Sequence, residues 1–229
     1  MATPTPTCWQ HELWNRLRTR WLLKFMGVSI AITVFMCVYF ALLRHPQFAV
    51  TVMPLVALDR LIPFTPWAVV PYASLWLYIG LVPGLLYPRG EMVRYGLAAL
   101  VVAVIGCGVF FFFPTVVPVP PIDWARWPML AALKSTDAAG NACPSLHVAY
   151  SVLSVIWMGW LLRRVGAPRW LHGINIVWCL LIVWSTVAIR QHVVLDVEAG
   201  ALLGGAVALI ALVAWPAWSR RRVARRVPC

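Results

Sequence analysis

Six long runs of apolar residues constrain this chain more than any other feature. A helix needs about 20 mostly apolar residues to cross the hydrocarbon core of a bilayer. Runs of that length occupy 21–43, 67–87, 93–113, 145–162, 171–189 and 195–218. They carry few internal charges, and Lys24 lies near the end of one. A membrane barrel would instead alternate its apolar residues over strands of about ten, a pattern the chain lacks. Hydrophobic residues make up 62% of the 229 and charged ones only 11%, against about 25% charged in ordinary soluble domains. That balance excludes a soluble globule and intrinsic disorder. Six cysteines are too sparse for a secreted disulfide scaffold, and Cys37, Cys107 and Cys179 fall inside the apolar runs. The expected fold is therefore all-α, an integral membrane bundle of six transmembrane helices. It forms a single domain over 1–229, with a terminal segment at 1–20, the six-span core at 21–218 and a basic tail at 219–229. The first run lacks a small-residue cleavage site, so it reads as an uncleaved anchor.

Orientation follows from the basic residues. With six spans, fourteen of the 19 Lys and Arg fall on the side holding both termini, and five on the other. The positive-inside rule places the first side in the cytoplasm. The opposite side holds five carboxylates against its five cations, so the net charge of +12 falls on the cytoplasmic side. There it would attract anionic lipid headgroups, with the cluster from Arg220 to Arg226 as a topology anchor. A nucleic-acid partner is not expected, because no soluble domain carries the charge. Oligomeric state is not legible.

The segment 45–66 is proline-bearing and is expected to lie along the outer interface. The longest outer loop, 114–143, opens with Pro114, Pro118, Pro120 and Pro121, which forbid a regular helix there. Trp124 and Trp127 suit an interfacial position. Ionisable residues at the ends of spans are costly and so are functional candidates. Three fall on the outer side: His147, His192 and Asp196. The four-residue spacing of His192 and Asp196 would stack them on one helical face. The carboxylate could then fix the imidazole tautomer and leave the other nitrogen free to attack. Pro144 suits the first turn of a helix. The amides of Ser145, Leu146 and His147 would then be free to bind a phosphate, with the Ser145 hydroxyl and a proton from His147. No Cys-x2-Cys or His-x3-His spacing suggests a metal, and no cofactor is expected. Cys143 reads as a packing residue, and His11, His45 and His172 as solvated or interfacial. Gly200, Gly204 and Gly205 form a small-residue stripe that suits close helix packing.

The run Pro144-Ser145-Leu146-His147, followed by Ser185-Thr186 and Arg190-Gln191-His192-Val193-Val194-Leu195-Asp196, resembles the type 2 phosphatidic acid phosphatase superfamily. Its members are six-span enzymes acting on lipid phosphates or lipid phosphodiesters. Leu146 stands where the family usually has Gly, and Thr186 where it has Arg; the Lys-x6-Arg-Pro motif is absent. The Pro-Ser-Leu-His element, the proline-rich stretch after Phe113, and Asp59-Arg60-Leu61-Ile62-Pro63-Phe64 with Tyr72 are similar to the inositol phosphorylceramide synthase branch. The resemblance implies a metal-independent site with His192 as nucleophile, Asp196 orienting it and His147 as general acid. Ser145, Pro144, Leu146, Arg190, Lys134 and Arg126 would serve binding, with Arg190 the first candidate for the missing phosphate clamp. The substrate would be a membrane lipid: a phospholipid, prenyl phosphate or sphingolipid. The phosphoryl group would pass to water or to a lipid or sugar hydroxyl, the branch favouring transfer. The alternative is a non-enzymatic membrane protein. A transporter, however, should carry charged or broken helices at mid-membrane, and this polar cluster lies at one surface.

Overall fold

The computed structural model describes residues 8–136 and 140–213. A short helix α1 (Cys8–Arg18) precedes α2 (Trp21–Arg44). Then come α3 (Ala57–Leu61), α4 (Val69–Ala73), α5 (Leu75–Leu85), α6 (Arg89–Phe112), α7 (Pro128–Thr136), α8 (Leu146–Arg164), α9 (Arg169–Ala188) and α10 (Val194–Val213). Six helical stretches are long and apolar enough to cross a membrane: α2, Pro66–Leu85 (which joins α4 and α5), α6, α8, α9 and α10. The chain is an all-α, multi-pass membrane protein, and each span begins within a few residues of its expected start. The tail, the end of the sixth run beyond Val213, and Asp137 lie outside the described residues.

Helix α8 is the hub. It packs against α10, α9, α5 and α6. Of the most apolar window of each span, 61% is buried in α8 but only 6% in α2, so α2 stands off from the bundle. The α8–α10 contact is close because glycine permits it. A Cβ on Gly200 would strike the Ser145 carbonyl, and one on Gly204 the Ala149 carbonyl. Gly205 meets only ordinary contact with Val152, so the stripe is two residues wide. On α6, Gly106 leaves the space that the Leu146 side chain fills.

The two ends of the bundle differ. At one end the buried Glu91 pairs with Arg164 and, at 3.5 Å, with Arg16 of α1. Lys24 donates to the carbonyls of Arg16 and Gly84 at 2.6 and 2.8 Å. These contacts bring the starts of α2 and α6 and the ends of α5 and α8 to one side, as six antiparallel crossings require. At the other end the segment 45–66 folds onto the bundle instead of only lying along its surface. Its strand β1 (Thr51–Val52) pairs in parallel with β2 (Thr115–Val116) from the long loop. Prolines keep the start of that loop irregular. Beyond them α7 opens on Pro128, where a helix tolerates the missing N–H.

Candidate functional site

The histidine end of α8 and the loop before α10 meet in one polar cluster. Ser145 is the N-cap of α8: its side chain accepts from the Val148 amide at 3.3 Å. Its own amide donates to the Asp196 carbonyl at 2.9 Å, which locks the start of α8 to the start of α10. Pro144 therefore lies before the cap, not in the first helical turn as the sequence suggested. Of the three amides expected to be free, that of Ser145 is occupied. The following two, of Leu146 and His147, have no hydrogen-bond partner among the described residues.

His192 is not on a helix. The chain turns after α9, with Arg190 in the left-handed region at φ 62°, and α10 begins only at Val194. The Thr186 carbonyl accepts from the amides of Gln191 and His192 at 2.9 and 3.1 Å, fixing this turn. His192 and Asp196 thus meet because the loop folds over the first turn of α10. His192 Nδ1 lies 3.1 Å from the Ala142 carbonyl and 3.5 Å from Asp196 Oδ2. The carbonyl is the nearer partner. The Asp196 carboxylate also accepts from the Val193 amide at 3.0 Å and is fully buried. Its second role is to hold the loop.

His147 completes the cluster. Its Nδ1 lies 3.2 Å from His192 Nε2, and its Nε2 lies 2.7 Å from the Tyr72 hydroxyl. The network has one consistent neutral protonation. Tyr72 donates to His147 Nε2, His147 Nδ1–H donates to His192 Nε2, and His192 Nδ1–H donates to Ala142 O. Every imidazole nitrogen is used, and the His192 lone pair faces His147. Tyr72 entered the sequence reading only as a likeness to one branch; its bond to His147 joins residues 75 apart and has no spacing signature.

The expected phosphate clamp is placed elsewhere. Arg190 Nη1 and Nη2 donate to the carbonyls of Asp59 and Ile62 at 3.2 and 2.8 Å, holding α3 against the loop. Arg126 is exposed and paired with Asp123 at 3.1 Å. Lys134 sits 6.0 Å from the centroid of the Trp124 ring. None of the three lines the cavity that reaches the histidines. Asp59 is a residue whose role the sequence hid. Buried, it accepts from the Val194 amide at 2.8 Å and from the Val56 amide at 2.8 Å. It caps α10 from α3, 135 residues away. Burial pushes the Cys143 thiol up to about 11, with the Asp196 carboxylate adding to the shift, which favours the protonated thiol over the thiolate at neutral pH. Among the described residues no group of three or more His, Cys, Asp or Glu could hold a metal.

A cavity of about 830 Å³ opens between α2, α5 and α6 and ends at Tyr72, Asn141, His147 and His192. Its walls are overwhelmingly apolar. The polar cluster therefore sits at the head of a hydrocarbon-lined space, as a lipid headgroup site does. A family model, the PAP2 superfamily, matches residues 92–220. No curated protein and no solved structure matches the chain.

Proposed function

The chain belongs to the PAP2 superfamily, and on that premise we propose that it cleaves a lipid phosphate or phosphodiester through a phosphohistidine on His192. The observation that carries the reading is the 3.2 Å approach of His147 Nδ1 to His192 Nε2 at the head of an apolar cavity. A phosphoryl group entering between the two rings displaces that hydrogen bond. His192 Nε2 then attacks phosphorus while the bond to the leaving oxygen breaks. His147, once Nε2 has taken a proton from the substrate's own P–OH or from solvent, is an imidazolium and gives its Nδ1 proton to that oxygen. Tyr72 accepts from Nε2–H in this state and keeps the acidic proton on the substrate side. Positive charge on the phosphorylated His192 is met by Ala142 O and by Asp196. The free amides of Leu146 and His147, at the positive end of the α8 dipole, face the developing oxyanion. In the second step His147 Nδ1 takes a proton from water or an acceptor hydroxyl, whose oxygen attacks phosphorus and releases His192.

Hydrolysis makes the protein a lipid phosphatase, and transfer to a hydroxyl makes it a phosphotransferase. The Leu146 position in Pro144-Ser145-Leu146-His147 favours the second through the branch it resembles. The basic asymmetry of the sequence supports an external site, with both termini in the cytoplasm. Incubation of purified protein with radiolabelled phosphatidic acid, a prenyl diphosphate and a phospholipid, followed by acid and alkali treatment, tests the reading. An acid-labile, alkali-stable label on the protein, absent in His192→Ala, is expected. Turnover unchanged in His192→Ala would falsify it.

A further inference from the structure

The carbonyl that holds His192 is itself held. Ala142 O, the nearest partner of His192 Nδ1 at 3.1 Å, belongs to the short segment 140–143 before α8. That segment runs in parallel beside β2, with Asn141 opposite Thr115. Successive residues of a strand turn their backbone groups to opposite sides. On one side of β2 the carbonyls of Pro114 and Val116 accept from the Thr51 and Met53 amides, each at 2.9 Å. On the other side the Thr115 carbonyl accepts from the Gly140 and Ala142 amides, each at 3.1 Å. The Thr115 hydroxyl accepts from the Cys143 amide at 2.8 Å. Asn141 Nδ2 ties the same segment to the Tyr39 hydroxyl of α2.

The last bond to Thr115 bears directly on the nucleophile. The Cys143 N–H and the Ala142 carbonyl are two ends of one planar peptide unit. Thr115 Oγ1 holds the N–H end, and this fixes the plane in which the oxygen faces His192. An N–H that donates also polarises its peptide, so the carbonyl becomes a better acceptor. The rival partner is less well placed. Asp196 Oδ2 stands 3.5 Å from Nδ1 and already accepts from the Val193 amide.

We propose that Thr115 is a positioning residue for the nucleophile: through the Ala142–Cys143 peptide its hydroxyl holds His192 as the Nδ1–H tautomer, which leaves Nε2 free to attack. This rests on the reading that His192 is the nucleophile. Attack from Nε2 needs a lone pair there, so the ring proton must stay on Nδ1. Without the hydroxyl the peptide plane is free to turn, Ala142 O moves off Nδ1, and the inert Nε2–H tautomer competes. Thr115 does not line the cavity, so its loss acts on the chemical step and not on binding.

The test reads the tautomer directly. The full chain is prepared in nanodiscs with isotope-labelled histidine. The ring-nitrogen NMR shifts of His192, assigned by their loss in His192→Ala, are recorded without substrate near pH 8. Wild type is expected in the Nδ1–H form. Thr115→Val keeps the β-branch but removes the acceptor. Thr115→Ala removes it without setting a methyl group against the Cys143 amide. Both should show a mixture with the Nε2–H form, and Thr115→Ser, which keeps the acceptor, should restore the wild-type shifts. In parallel, kcat is measured on phosphatidic acid, a prenyl diphosphate and a phospholipid. It should fall about threefold to tenfold in the Val and Ala variants with KM nearly constant, and recover in Thr115→Ser. Thr51→Val, the hydroxyl-to-methyl exchange at an exposed position of β1, should change neither readout. A wild type in the Nε2–H form overturns the proposal without any variant. So do wild-type shifts in Thr115→Val or Thr115→Ala, even with a lowered thermal midpoint, because Thr115 is then merely structural. Equal losses in Thr115→Ser overturn it as well. Tautomer changes as expected, with no turnover of any of the three lipids by wild type, overturn the phosphatase reading and leave the hold of Thr115 on His192 standing.

Discussion

At the residue scale, the site is a relay of hydrogen bonds whose members come from α4, α8 and the loop before α10. Tyr72 is its least expected member, and its removal separates positioning from chemistry. Tyr72→Phe keeps the ring against His147 and deletes one hydrogen bond, worth about 0.5–1.5 kcal/mol. kcat should fall about threefold to tenfold with KM nearly constant, and the alkaline limb of the kcat–pH profile should move. A merely structural tyrosine would leave that limb in place. His147→Ala should cost about 10²–10⁴ on an alkyl phosphate and much less on nitrophenyl phosphate, whose leaving group needs no proton. Single-turnover phosphoenzyme formation measures both; equal losses would make His147 a binding residue. The raised Cys143 thiol gives a pH prediction of definite sign. Raised to about 11, it carries little thiolate at pH 8, so maleimide should label it slowly there and faster as pH approaches 11. Rapid labelling at pH 7 would show an accessible, unshifted thiol. His147, His192 and Asp196 were legible in the sequence because ionisable residues are rare at span ends. The placement of Arg190 on backbone carbonyls was not legible for a physical reason: a guanidinium at a span end can bind phosphate or backbone carbonyls, and only three-dimensional placement decides. Asp59 and Tyr72 were legible only through their likeness to one branch, since each acts across more than 70 residues of chain.

At the element scale, the start of α10 is held from three directions. Asp59 caps the Val194 amide, Asp196 accepts from Val193, and the Asp196 carbonyl accepts from Ser145. Asp59→Ala removes a cap worth about 0.5–2 kcal/mol and frees the loop that carries His192. Thermal unfolding in detergent should shift down by a few degrees, while activity falls much further than that loss of fold explains. Asp59→Asn, which keeps one acceptor oxygen but turns its NH2 toward the other amide, should recover only part of both. Gly204→Leu should be worse, since its side chain must enter the Ala149 backbone; overpacking typically costs about 1–3 kcal/mol. A thermal midpoint within one degree of wild type would show that α8 and α10 are not clamped there. The six spans could be read from composition because length and hydropathy alone set them. The β1–β2 pair and the α3 clasp could not. Two-residue strands and a five-residue helix have no periodicity to read, and they are held by contacts with segments distant in sequence.

At the scale of the whole molecule, charge and packing divide the bundle into two unlike ends. One end holds Glu91 with Arg16 and Arg164, and Lys24 on carbonyls. The other holds the histidine pair beneath the loops 45–66 and 114–143. The contacts of α1 with the end of α5 and with Glu91 at the start of α6, which Arg164 of α8 also meets, fix which loops share a side, so one labelling experiment orients all of them. Among the described residues nine of the 14 Lys and Arg fall on the Glu91 side, and moving them across the membrane is opposed by the inner-leaflet potential and the insertion machinery's bias. The Glu91 end is therefore expected in the cytoplasm. In a background with the native cysteines replaced, a cysteine at the exposed Ala125 should react with a membrane-impermeant maleimide in intact cells. One at Arg169, exposed on the opposite side, should react only after permeabilisation. Activity toward a lipid phosphate presented from outside should then be lost on external, but not internal, modification of the Ala125 face. The reverse labelling pattern would put the histidines on the cytoplasmic side. The substrate would then have to present its phosphate from the inner leaflet.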